Sequence, residues 1–316
     1  MSVYRFYKNQ IESHISSTFW DERRCSFGNK NPCNTFYVIR RSDRKAGLFS
    51  IYTYVLGKVK LALEKGYIPV VDLENYKCSY TNNHYPGREN AWEYFFEQVN
   101  KCYNLDEVYK SENVILSDSV VPKNMPNTSM KFLKNHTAIA YWRDLANEYC
   151  KINSKVMSRV DDEYDLLFGK TKPSKILGVL LRGTDYVNLR PPNHPKQPTL
   201  SEAITEVRRL MSVYGCEYIY LTTEDEELLA GMVNEFGSIL KFSNVPRYRH
   251  DIKGYLSEEK RNVKDDYIQK GYDYIVPIGV ISKLTCFFAG RTSGSVAAVI
   301  MSSSLDKVTF WDDGVY

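Results

Sequence analysis

The sequence predicts an α/β protein of two Rossmann-like domains facing a cleft. Three observations support this. Short apolar runs alternate with stretches of helical periodicity along most of the chain. The Gly- and Pro-containing stretch "GKTKPSK" at 169–175 breaks the pattern and marks a domain boundary. And 316 residues are long for one hydrophobic core. The expected domains are residues 1–170 and 171–316.

In the first half, a short helix is expected near Ile11–Phe19, then a strand in "TFYVIRR" (35–41). "GLFSIYTYVLGKVKLALEKG" (47–66) reads as a turn and a helix, with Gly66 as its stop. "YIPVVDL" (67–73) completes a strand–helix–strand unit. A polar loop (Asn75–Asn90), an aromatic helix "AWEYFFEQV" (91–99) and a strand "NVILSD" (113–118) follow. Residues 138–168 read as one long helix.

Beyond the boundary, strands are expected at 176–181, 217–223, 238–243, 286–290 and 308–312. Helices are expected at 199–215, capped by Thr199 or Ser201, at 225–237, over part of 266–284, and from 293. Open α/β sheets bind ligands at the carboxyl ends of their strands. Three turns fall there. They are Arg182-Gly183-Thr184-Asp185-Tyr186, Thr222-Thr223-Glu224-Asp225, and Arg291-Thr292-Ser293-Gly294-Ser295 at a helix start.

Their chemistry is complementary. Arg182 and Arg291 offer forked donors to phosphate. Thr292, Ser293, Gly294 and Ser295 offer hydroxyls and free N–H groups at a helix N-terminus. Glu224 and Asp225 offer acceptors to a base or a ribose. The combination describes a nucleotide diphosphate site. Each part also has an ordinary structural reading: an Arg182–Asp185 ion pair, a simple N-cap, and first-turn acids beside a helix dipole.

Composition narrows the alternatives. The chain is 43% apolar and 25% charged, with a formal net charge of only +4. That speaks against disorder and against nucleic acid as a partner. The seven cysteines contain no CxxC pair and the five histidines have no metal spacing, so no metal site is expected. Neither a P-loop, a dinucleotide fingerprint nor a GxSxG elbow occurs. The 25 tyrosines suit either sugar stacking or core packing. No secretory signal and no membrane span is present. The expected location is therefore the cytoplasm, with contact at the inner membrane face compatible but not indicated.

"LLRGTDY" (180–186) resembles the HxRRxDY-like motif of the fucosyltransferase superfamily that includes the α-1,6- and protein O-fucosyltransferases. "YIYLTTEDEELL", "FFAGRTSGSVAAVIM" and "GLFSIYTYVLGKVKLALEKGYIPVVDL" are similar to three further segments of that family, in its order. The chain also resembles small proteins of bacterial surface-polysaccharide clusters. The resemblance spans roughly residues 37–75 and 176–301. It implies a GT-B fold, a GDP-sugar donor (most directly GDP-fucose), inversion, no cofactor and no metal. It also implies a glycan acceptor, lipid-linked or free.

Carried over, Arg182 would hold the β-phosphate and stabilise the leaving group. Asp225 or Glu224 would read the base, and Ser293 and Gly294 would bind phosphate. Gly47 to Ser50 would approach the donor from the first domain. The departures are Leu180 for the family's histidine, Gly183 for its second arginine and Arg190 where an acid serves as base. Asp185, Glu93 and Asp72 are the remaining base candidates. UDP- or dTDP-sugar donors, a non-catalytic nucleotide-sugar or glycan-binding module, and a nucleotide-sugar modifying enzyme stay open as alternatives.

Overall fold

The computed structural model describes residues 20–316 except 44, 77, 82–88, 253, 255, 257, 258 and 260. The helix expected near Ile11–Phe19 and half of the Asn75–Asn90 loop lie outside the described residues. The chain forms β1 (Arg23–Cys25), β2 (Lys30–Arg40), α1 (Leu48–Glu64), β3 (Ile68–Asp72), α2 (Leu105–Val108), β4 (Ser111–Leu116) and α3 (Met130–Leu133). It continues with α4 (His136–Tyr149), α5 (Ser154–Phe168), β5 (Ile176–Leu180), α6 (Thr184–Leu189), α7 (Leu200–Tyr214) and β6 (Tyr218–Thr222). Last come α8 (Glu226–Phe236), β7 (Leu240–Lys241), α9 (Asp266–Ser282), β8 (Cys286–Ala289), α10 (Ser293–Met301) and β9 (Lys307–Phe310).

Two compact units result, and they are not the two halves that a single cut after residue 170 would give. The first holds residues 1–126, 145–153 and 260–271. The second holds 127–144, 154–259 and 272–316.

The first unit carries a sheet of order β1-β4-β2-β3, parallel except for β1. The last five residues of β2 are buried, as a strand covered on both faces requires. Phe36, Val38, Val70, Val114 and Leu116 pack with α2 into one core cluster. Helix α1 packs against β2 and β3 and buries twelve of its residues, among them Lys58. Lys58 Nζ lies 2.6 Å from Asp118 Oδ1, so the buried cation keeps a counter-charge.

Two sequence expectations fail here for one reason. Residues 91–95 form turns, not a helix, and the helix expected over 138–168 is broken between α4 and α5. Phe96 pairs with Ile152 in an isolated antiparallel bridge. The Glu97 N–H donates to the Lys151 carbonyl, and the Asn153 N–H to Phe95. Backbone donors that would extend either helix are spent on this crossing instead. It seats Trp92 and Phe96 on Tyr52, with ring centroids 6.4 and 5.0 Å away.

The second unit carries a fully parallel sheet of order β7-β6-β5-β8-β9. One face packs Leu177, Val179, Ile219, Leu221 and Phe288 against Ala203, Val207 and Leu210 of α7 and Leu228 and Met232 of α8. The other face meets α5 and α9: Phe168 touches the Tyr220 ring, and Gly178 lies against Ile281 and Leu284. Helix α9 runs unbroken through Pro277. The strand expected at 238–243 shrinks to the two residues of β7. A short helix, α6, replaces a simple turn after β5. The chain moves outward from β5 through β6 to β7, then returns to β8 on the other side of β5. The strand order therefore reverses between β5 and β8, the place where such sheets bind ligands.

Leu177 is fully buried in the middle of this unit. Leu177→Ala is expected to cost about 2–5 kcal/mol. In urea unfolding this appears as a lower midpoint with an unchanged slope.

Candidate functional site

The turns after β5, β6 and β8 lie next to one another, because these strands are neighbours in the sheet. The Arg182 side chain is mostly buried, and two carboxylates hold it. Asp185 Oδ1 accepts from it at 2.7 Å, and Glu224 Oε2 stands 3.4 Å away. Burial works against the guanidinium charge, but Glu224 and Asp185 outweigh it and drive its pKa further up. Glu224 Oε1 also accepts from the Gly183 N–H and the Thr184 hydroxyl, each at 2.9 Å.

Asp225 is fully buried. Its Oδ1 accepts from the N–H groups of Glu227 and Leu228, capping α8. Its Oδ2 accepts from the Thr184 N–H at 3.1 Å and faces His250 Nδ1 at 2.5 Å. These bonds hold Thr184 at φ +40°, an uncommon conformation for a β-branched residue. They also explain the glycine before it. A Cβ on Gly183 would stand 2.1 Å from Asp225 Oδ2. An arginine has no room there. The other two departures from the motif also have structural places: Leu180 is buried in β5, and Arg190 is the left-handed residue that ends α6.

The third turn opens α10. Thr292 and Ser295 form a reciprocal capping box, so their polar groups serve the helix itself. Ser293 and Gly294 carry the first-turn N–H groups that the box leaves over. Arg291 is almost fully buried. It donates to the Gly314 carbonyl at 2.7 Å and pairs with Asp312 at 3.0 Å, tying down the last residues of the chain. Among the described residues its Nε has no partner, nor has Oε1 of Gln197, which is packed against Gly290.

Two tyrosines join the turns. The Tyr274 hydroxyl would lie 2.3 Å from a Cβ on Gly294, and its phenol is in electrostatic range of Arg182, Glu224 and Asp185. Tyr186 feels both Arg182 and Arg291. Burial pushes the pKa of each phenol up to about 12.

Gly47 and Ser50 belong to the first unit, at the start of α1. Gly47 is open where a Cβ would stand, and Ser50 accepts from Arg41 through its carbonyl at 3.2 Å. Of the base candidates, Asp72 is fully buried and accepts from Glu74, Asn75 and Tyr109. Burial raises its pKa. Asp185 is likewise engaged on both oxygens, by Arg182 and by the Leu256 N–H. Glu93 lies exposed in the first unit, its pKa raised by desolvation. His250, Gln197 and Tyr274 were not singled out as site residues from sequence. No spacing links any of them to a motif.

Among the described residues, no three His, Cys, Asp or Glu side chains gather as a metal site, and no helix is long and apolar enough to cross a membrane.

No protein-family model matches the chain, and no curated protein does. Solved structures that it is similar to include fucosyltransferases. NodZ α-1,6-fucosyltransferase soaked with GDP-fucose is 14% identical, with a TM-score of 0.47 over 85% of this chain and 93% of that one. Fucosyltransferase NodZ from Bradyrhizobium gives 14% and 0.48, over 88% and 96%. POFUT1 in complex with GDP-fucose gives 9% and 0.38, over 63% of this chain and 53% of that protein, about half its length. At such identities and TM-scores the likeness transfers no activity and no residue role.

Two outcomes follow from the geometry. Gly183→Ala forces its new methyl onto Asp225 and is expected to cost about 1–3 kcal/mol, read by urea unfolding. The hydrogen bond to Asp225 raises the pKa of His250 above its ordinary value near 6.5. The pair therefore stabilises the fold fully below pH ~6.5 and loses that contribution as pH rises through the higher folded value. His250 is partly exposed, so the contribution is about 1 kcal/mol or less. Unfolding midpoints should fall over that window in the native chain, and His250→Asn should remove this dependence.

Proposed function

We propose that this chain is a nucleotide-sugar-dependent glycosyltransferase. The observation that carries the reading is the meeting of three turns at the reversal point of the second unit's sheet. There Arg182, Arg291 and the first-turn N–H groups of Ser293 and Gly294 lie at strand ends, with Gln197 packed against Gly290 after β8. In the proposed reaction Arg182 and the α10 N-terminus neutralise the departing diphosphate, a role that commonly supplies several kcal/mol of barrier lowering. No metal is required for it. Glu224 and Asp225 position this machinery from beneath, and their contacts with Gly183 and Thr184 set its shape.

GDP-fucose is the first donor to test, because the motif resemblance points to it. UDP- and dTDP-sugars are the next. Transfer proceeds with inversion onto a glycan acceptor of surface-polysaccharide synthesis, on the cytoplasmic side of the membrane. Gly47 and Ser50 of the first unit are further donor-binding residues in this proposal.

A second reading is a non-catalytic binding module. One observation favours it: Arg182 is closed in by Asp185 and Glu224, so an incoming phosphate must compete with two carboxylates.

A thermal-shift screen against GDP, UDP, dTDP and their sugars, with EDTA present, separates the readings when followed by donor turnover. A ligand at 100 times its dissociation constant adds about 2.7 kcal/mol, a shift of several degrees. The glycosyltransferase reading expects a shift with one nucleotide, release of that nucleotide from its sugar, and loss of both in Arg182→Ala. Binding without turnover selects the module. Turnover that survives Arg182→Ala overturns the assigned role.

A further inference from the structure

We propose that His250 is the proton acceptor of the transfer reaction, with Asp225 as the group that orients it. The proposal rests on the glycosyltransferase reading and supplies what the motif resemblance leaves missing, since Arg190 stands where that family carries an acid.

The backbone of His250 is fixed from two sides. The segment leading to it lies along the turn after β6, where the Tyr248 N–H donates to the Glu224 carbonyl at 2.8 Å and the Glu226 N–H to the Tyr248 carbonyl at 3.0 Å. Asn188 of α6 donates to the His250 carbonyl. The ring is then held through Nδ1 by the fully buried Asp225 at 2.5 Å. Asp225 accepts the Thr184 N–H through the same oxygen, two residues from Arg182. The orienting carboxylate is thus shared with the turn that would hold the leaving group.

Chemistry at this edge singles out the same ring. Asp185 and Glu224 already pair with Arg182 and accept backbone or hydroxyl donors. The phenols of Tyr186 and Tyr274, near 12, stay protonated at neutral pH. His250 is 36% exposed, and among the described residues its Nε2 has no hydrogen-bond partner. With Nδ1–H facing Asp225, Nε2 presents its lone pair outward. The charged groups around the ring are Asp225, Glu227 and Asp251, all acids, with Arg249 beyond as the partner of Asp251. They favour the imidazolium, which is the state the ring enters on taking a proton.

The step balances as follows. The acceptor oxygen forms its bond to the sugar's anomeric carbon. The bond from that carbon to the diphosphate oxygen breaks, and its electron pair leaves with the diphosphate. The acceptor's proton passes to Nε2, and Asp225 offsets the new positive charge.

The test uses the full chain and whichever nucleotide sugar gives the thermal shift, with water as acceptor and nucleotide release as the readout. Native turnover should rise with pH through an ascending limb above 6.5. His250→Ala and His250→Gln should bind the nucleotide as the native chain does, lose about 10²–10⁴-fold in kcat with KM little changed, and lose that limb. Added imidazole should restore activity to His250→Ala and not to Arg182→Ala. A His250 variant that keeps its limb and loses less than about fivefold overturns the inference while the glycosyltransferase reading stands. A native chain that binds no nucleotide and releases none overturns the reading itself. Independently of turnover, NMR titration should find His250 protonated at Nδ1 and titrating above 6.5, and a value at or below 6.5 overturns the inference.

Discussion

The second unit depends on one carboxylate. Asp225 is fully buried, caps α8 with one oxygen, and with the other joins the turn after β5 to the segment that carries His250. A buried charge is tolerable only when nearly every lone pair is matched. Here the matching donors come from three stretches of chain far apart in sequence. The carboxylate therefore sets the backbone of Thr184, the absence of a side chain at 183 and the tautomer of His250 together. Loss of this one group would disturb the cap, the arginine turn and the histidine at once.

The arginine is organised on the same pattern. Arg182 is held between Asp185 and Glu224, and Glu224 is itself tied to Gly183 and Thr184. Such a closed network fixes geometry, and its local charge is not positive. A diphosphate entering this edge must displace carboxylates from the guanidinium or lie on its outer face, with the α10 N-terminus supplying the remaining donors.

Much of this could be read from the residues, for identifiable reasons. Strands β3, β5, β6 and β8, and the second half of β2, are apolar runs ended by polar turns, and that signature belongs to buried parallel strands. Thr199 before Glu202, and Gly66 and Gly215 at left-handed helix ends, mark helix limits by local chemistry alone. What could not be read was tertiary in origin. The Phe96–Ile152 crossing overrode helical periodicity at two distant places. His250 reaches Asp225 across 25 residues of irregular chain, and no local pattern announces it. The three strand-end turns were visible as a set only because strand order brings them side by side. The capping box at Thr292 and Ser295 shows how a motif read for ligand binding can serve its own helix as well.

The contact between position 183 and Asp225 couples two turns of the second unit. A side chain at 183 and a carboxylate at 225 cannot share the space that Gly183 leaves open. Two residues 42 positions apart are thus governed by one packing constraint. A methyl group at 183 would press on the carboxylate that caps α8, so a change in one turn would be felt as a loosened helix start in the other.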